Sequence, residues 1–313
     1  VFIVILSTDL NPVLRKRIRV PFRKDYGGAL NPEKIEVFPG GEGIELSFML
    51  RIMNEDSIIT GFEGGHNGQA VKDFLDGSDI KHIFVEIKES TGEQLYIHFS
   101  DGQTFIPELK PRISREETAL FIREFKENLN LCEIVCITGS TPQNIPPELL
   151  GELVSMTSQW GRKSLVGLKG RQSVQAIQGK PYLIVLDLET LENMTHLKLE
   201  YESEIVKAAR YVLEKGIEYL IIDLKEKGAV VLCGDRGYKF EFPHFQGHHC
   251  NVNYGYMLAG FAVGITRGYN EETVLRLGIA GSVIHCFRHS AEVDMSDVKN
   301  MMNRLAVRAF RNI

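Results

Sequence analysis

Short apolar runs recur along the chain, with amphipathic stretches between them. The runs at 1–7, Ile134–Thr138, 163–168, 182–188, 219–224 and Ala229–Cys233 are nearly continuous rather than alternating. A strand that is apolar on both faces is buried on both, so these runs predict a mostly parallel sheet with helices covering each side. Ser114 opens one predicted helix: Glu117 completes a capping box, and Leu120, Phe121, Phe125 and Leu129 fall on one side. Pro146-Pro147-Glu148 opens a second helix that runs to Trp160-Gly161. A third spans 202–215 and stops at Gly216. After residue 250 the pattern is almost wholly helical, and Ser296 is expected to cap the last helix.

Two stretches depart from this alternation. Residues about 12–38 hold Arg17-Ile18-Arg19-Val20, then Gly27-Gly28 and a strand pattern at 35–38. Residues about 80–106 hold strand patterns at 83–87 and 94–99 with a turn at Asp101-Gly102. These four strands predict a small sheet standing off the main body as a lid. The chain reads as one α/β domain over 1–313 with two lid insertions, and without linker, internal repeat or low-complexity segment.

Composition narrows the function classes. The 313 residues carry 36 basic and 41 acidic side chains, a net charge of −5. That balance argues against a nucleic-acid surface, and Arg15-Lys16-Arg17 is short enough to be a solvated face. The longest apolar stretch, 257–265, is far below the roughly 20 residues that span a bilayer, and the first strand lacks the basic flank of a signal peptide. Five scattered cysteines, at 132, 136, 233, 250 and 286, do not suggest a disulfide framework. A cytoplasmic protein without a membrane partner is expected. His244, His248, His249 and Cys250 cluster, and His285 and His289 lie near Cys286, but the spacings match no standard zinc site. No metal site is expected there.

Glycine-rich turns follow several of the strand-like runs, where a backbone must approach a ligand closely: Pro39-Gly40-Gly41-Glu42-Gly43, Thr60-Gly61-Phe62-Glu63-Gly64-Gly65 and Thr138-Gly139-Ser140. With Leu10-Asn11-Pro12 ahead of them, Thr141-Pro142 and Ile145-Pro146 after them, and Leu258-Ala259-Gly260 near the end, their order resembles the PfkB branch of the ribokinase family. The nearest likeness is to 1-phosphofructokinases and tagatose-6-phosphate kinases. The resemblance implies a ribokinase-like doubly wound sheet with a small β-sheet lid, ATP and Mg²⁺ as cofactors, and phosphorylation of a phosphosugar such as fructose 1-phosphate or tagatose 6-phosphate.

Carried over residue by residue, the family's active-site pattern is largely replaced. The glycine-rich anion hole falls on Val252, Asn253 and Tyr254, and the aspartate base falls on Gly255, which has no side chain to accept a proton. In the substrate pocket, the aspartate after Asn-Pro falls on Arg15. The Gly-Gly-Lys-Gly turn begins at Gly40 and Gly41, its lysine falls on Glu42 and the following asparagine on Glu45. The lid arginine falls on Gly92. On the nucleotide side the resemblance points to Asp187, Thr190, Asp223, Lys225 and Gly228, and another family acid falls on Gly167. The expected protein is therefore a non-catalytic family member that works by binding or assembly, as a homodimer through the lid or with an active paralogue. The alternatives are a weak or unconventional sugar-phosphate kinase, and a small-molecule sensor with altered charge preference in which Arg15, Glu42 and Glu45 form an ion-pair cluster.

Overall fold

The computed structural model describes residues 5–21, 31–244, 252–286 and 293–311. The strands are β1 (Ile5–Asp9), β2 (Val13–Arg19), β3 (Lys34–Gly40), β4 (Ser57–Glu63), β5 (Lys81–Glu86), β6 (Gly92–Phe99), β7 (Gly102–Ile106), β8 (Ile134–Thr138), β9 (Lys163–Gly167), β10 (Leu183–Asp187), β11 (Tyr219–Asp223), β12 (Ala229–Cys233), β13 (Arg236–Glu241) and β14 (Ala306–Arg311). The helices are α1 (Glu42–Ile52), α2 (Gly65–Gly77), α3 (Arg115–Asn128), α4 (Leu149–Gln159), α5 (Arg171–Ile177), α6 (Leu188–Thr195), α7 (Glu202–Leu213), α8 (Tyr254–Thr266), α9 (Glu271–Val283) and α10 (Met295–Arg304).

Ten strands form one sheet in the order β14-β13-β12-β11-β10-β9-β8-β1-β4-β5, parallel from β11 to β5 and antiparallel from β11 to β14. Side chains alternate between its two faces. Val135 and Ile137 of β8 join one core cluster with Phe121 and Phe125 of α3. Ile134 and Cys136 join the other, with Met257 and Phe261 of α8. Both faces are therefore closed by helices, as the continuous apolar runs predict.

The lid is a four-stranded sheet in the order β3-β2-β6-β7. Its membership differs from the sequence expectation at one strand. The pattern at 83–87 falls on β5, which pairs parallel with β4 at the edge of the large sheet, and the fourth lid strand is β7. An edge strand with one solvated side alternates like a lid strand, so the pattern does not separate the two. The chain also does not end in helix: β14 closes the large sheet against β13. The cap of α10 is Asp294, which accepts from the backbone N–H groups of Ser296 and Asp297, rather than Ser296. The capping box at Ser114 and Glu117 is present.

Cys132, Cys136 and Cys233 are free and buried. Cys286 is disulfide-bonded, a bridge that spacing did not indicate. His248, His249, Cys250 and His289 lie outside the described residues. Among the described residues no helix is long and apolar enough to cross a membrane.

Candidate functional site

In an open α/β sheet, ligands bind in the crevice beyond the carboxyl ends of the strands. Here those ends carry Asp9, Thr138 and Gly167 side by side in register, and farther along Asp187 beside Asp223. The lid leaves the body directly after Asp9, and α1 and α8 begin at the same edge. The crevice is therefore lined from four directions, and its chemistry depends on which groups are free.

On the substrate side, Arg15 of β2 forms an ion pair with Glu45 of α1, each side chain 20% exposed. Burial works against the Arg15 charge, but the Glu45 carboxylate holds its pKa above the ordinary range. Arg15 Nε also donates to Gln94 Oε1 of β6 at 3.0 Å, and Gln94 donates to Glu108 at 2.7 Å. Asn11 donates to both Glu108, at 3.1 Å, and Ser140, at 2.9 Å. Asn253 Nδ2 donates to the second Glu45 oxygen at 2.5 Å. One polar relay, Asn253–Glu45–Arg15–Gln94–Glu108–Asn11–Ser140, thus joins lid to body across the positions that the resemblance gives to the substrate.

Glu42 belongs to a separate group, so the three-residue cluster expected of Arg15, Glu42 and Glu45 is not formed. Glu42 accepts from the Thr138 hydroxyl at 2.9 Å and pairs with Lys169 at 3.3 Å. The Lys169 ammonium lies 5.0 Å from the centre of the Tyr254 ring. Gly40 is needed because a Cβ there would collide with the Arg15 side chain. Gly92 lies opposite Val13 in the lid, packed against Glu108.

The position the resemblance gives to the base, Gly255, lies in the first turn of α8. A Cβ there would overlap the Glu42 carbonyl oxygen, well inside 3.0 Å, so the neighbouring helix closes the space. Asn253 caps α8, its Oδ1 accepting from Tyr256 N–H at 2.8 Å. Val252 and Tyr254 are buried in the core beneath the sheet. Tyr254 packs against Gly167 and donates its hydroxyl to Asp223 at 3.1 Å.

The nucleotide positions are committed in the same way. Asp187 caps α6, accepting from Thr190 N–H at 2.6 Å. Asp223 accepts from Lys225 N–H at 2.7 Å as well as from Tyr254, and burial raises its pKa. Lys225 holds φ +57 and Gly228 φ +104, so this turn keeps a glycine-type backbone with a lysine in it. One Asp187 oxygen and both Asp223 oxygens thus already accept hydrogen bonds from within the chain. Among the described residues no group of three or more His, Cys, Asp or Glu is placed to hold a metal.

Asp9 is the residue sequence reading missed. Its carboxyl is fully buried and accepts from the N–H groups of Gly43 at 3.0 Å and Ile44 at 3.4 Å, at the start of α1, and of Asn11 at 3.3 Å. Burial pushes its pKa up to about 7 against these hydrogen bonds. Gly41 and Gly139 crowd against it, and Gly41, at φ +126, has no room for a Cβ. The available signal was an acid at the end of an apolar run, just ahead of Asn-Pro. Three helix starts at this edge, of α1, α6 and α8, thus meet Asp9, Asp187 and Asn253. Each is a place where bound anions are otherwise held.

Three comparisons place the chain among known proteins. The family model for pfkB family carbohydrate kinase matches residues 9–248. The 1-phosphofructokinase of Bacillus subtilis (strain 168) is 27% identical over 288 residues, covering 91% of this chain and 93% of that one. Escherichia coli phosphofructokinase-2 in complex with fructose-6-phosphate superposes with a TM-score of 0.84 at 19% identity, over 96% of this chain and 98% of that one. A tetrameric inhibited form of the same enzyme gives 0.84 at 19% identity, with the same coverage. A carbohydrate kinase from Agrobacterium tumefaciens gives 0.76 at 13% identity, over 98% of this chain and 99% of that one.

Proposed function

The chain belongs to the pfkB family of carbohydrate kinases, and from that premise we propose that it is a non-catalytic member that acts by binding or assembly. The observation that carries this reading is the occupied crevice. Gly255, the position the resemblance gives to the base, is pressed against the start of α1, and the starts of α1, α6 and α8 are met by the chain's own Asp9, Asp187 and Asn253. Loss of a general base alone costs about 10²–10⁴ in rate, and loss of preorganised anion donors about 10²–10³ more. The Arg15–Glu45 pair and the hydrogen bonds already made to Asp223 support the same reading.

Assembly is the activity left to such a chain. The lid exposes Ile35 and Val37 on β3 and Phe105 on β7, an apolar set suited to a second copy of the lid or to that of an active paralogue.

The deciding experiment is thermal unfolding with Mg-ATP, Mg-ADP, fructose 1-phosphate and tagatose 6-phosphate, paired with a phosphotransfer assay. Ligand at 100 times its dissociation constant stabilises the folded state by about 2.7 kcal/mol. No shift and no turnover are expected. A nucleotide shift with measurable transfer overturns the reading in favour of an unconventional sugar-phosphate kinase. A shift with a phosphosugar alone, lost in Glu45→Ala, favours the sensor.

A further inference from the structure

At the opposite edge of the sheet, the starts of β9 and β11, the residues entering β10 and the turn from α8 to α9 enclose a cavity of about 200 Å³. By that measure one water needs about 10–15 Å³, so there is room for one ring and a small polar head. Its wall is aromatic: the rings of Tyr182 and Tyr219 lie 5.4 Å apart, and Tyr269, 43% exposed, connects the cavity to solvent. Leu275, which is fully buried, supplies part of an apolar floor.

The charged groups decide what such a cavity takes. Tyrosines beside a carboxylate are a familiar setting for a cation, yet Glu271 is already satisfied. One of its oxygens accepts from Tyr238 at 2.6 Å; the other accepts from Tyr219 at 3.0 Å and pairs with Arg236 at 2.7 Å. A cationic ligand would have to compete with these partners for Glu271. Lys163 is the reverse case. Its ammonium rests 4.5 Å above the Tyr182 ring, and among the described residues no carboxylate pairs with it. We propose that this cavity binds a small aromatic monocarboxylate, its carboxylate on Lys163 and its ring among Tyr219, Tyr269 and Leu275. The site lies at the far end of α8 from Tyr254, so it stands or falls independently of the reading of the crevice.

Calorimetric titration of the full chain with benzoate, benzamide and benzylamine tests it. Benzoate is expected to bind one site at least about tenfold more tightly than the other two, since a charge-assisted hydrogen bond contributes more than a neutral one. Lys163 is exposed, so Lys163→Met is expected to keep the unfolding temperature while weakening benzoate about tenfold or more. Tyr269→Leu is expected to weaken benzoate with the charge intact, which locates the ring. The proposal is overturned if benzoate gives no saturable heat, if benzylamine or benzamide binds as well, or if Lys163→Met leaves benzoate affinity unchanged.

Discussion

Gly255 and Asp9 show how much single residues decide here. Because the Gly255 Cα faces the Glu42 carbonyl oxygen, even Gly255→Ala must push α8 away from α1. An overpacking cost of about 1–3 kcal/mol is expected in chemical denaturation, and a change below about 0.5 kcal/mol would show that the contact is loose. Gly255→Asp combined with Val252→Gly and Tyr254→Gly is expected to restore no turnover, since Arg15 and Glu45 are committed to each other too. Asp9 gives a pH signature. Its folded pKa of about 7 lies above the ordinary carboxyl value of 3.8, so between those limits the folded state holds a proton that the unfolded chain has released. Stability therefore falls as pH rises through that window, by up to about 1.4 kcal/mol per unit, and levels off above it. Asp223, also raised, adds in the same direction. Asp9→Asn is expected to flatten the slope of unfolding free energy between pH 4 and 7. The reading of Gly255 comes from the motif alone, where an absent side chain shows, and the structure adds its contact with α1. The burial of Asp9 was not legible in sequence, because it depends on the start of α1 arriving from more than thirty residues away.

Among the elements, the relay from Asn253 to Ser140 fixes how lid and body sit together. Removing one member of the Arg15–Glu45 pair leaves a half-buried charge unmatched. Glu45→Ala is expected to cost about 1–3 kcal/mol and to speed hydrogen exchange in β2 and β6. Arg15→Met with Glu45→Leu is expected to recover much of that stability, because two apolar groups need no partner. Equal losses in the single and double variants would show that the pair does not couple lid to body. The central strands and most helices were legible because burial on two faces leaves a continuous apolar run, and capping leaves its own residues, as at Ser114 and Glu117. Membership of β5 in the large sheet was not, since both candidate sheets offer a half-exposed edge. Nor was β14, whose alternation of small, basic and apolar residues gains strand character only from the open edge of β13. Arg15 and Glu45 were legible as a charge reversal. Their bridging through Gln94 and Glu108 needed the lid register.

For the molecule as a whole, assembly is the property most open to test. Light scattering behind gel filtration is expected to report a dimer that Val37→Glu and Phe105→Glu each convert to monomer without loss of secondary structure. A monomeric parent protein, or a dimer indifferent to both changes, would remove the lid as the contact. The self-capped helix starts have a further consequence for the history of such a chain. A binding site that awaits its ligand is a weak point in the empty protein, and ligand supplies part of the stability. Here Asp9, Asp187 and Asn253 make such contacts from within the chain, so on the proposed reading the fold does not depend on a metabolite being present. On the same reading the change acts as a ratchet. Each single step back toward an open crevice first removes a contact that now holds the molecule together, and regains nothing until the other steps are complete.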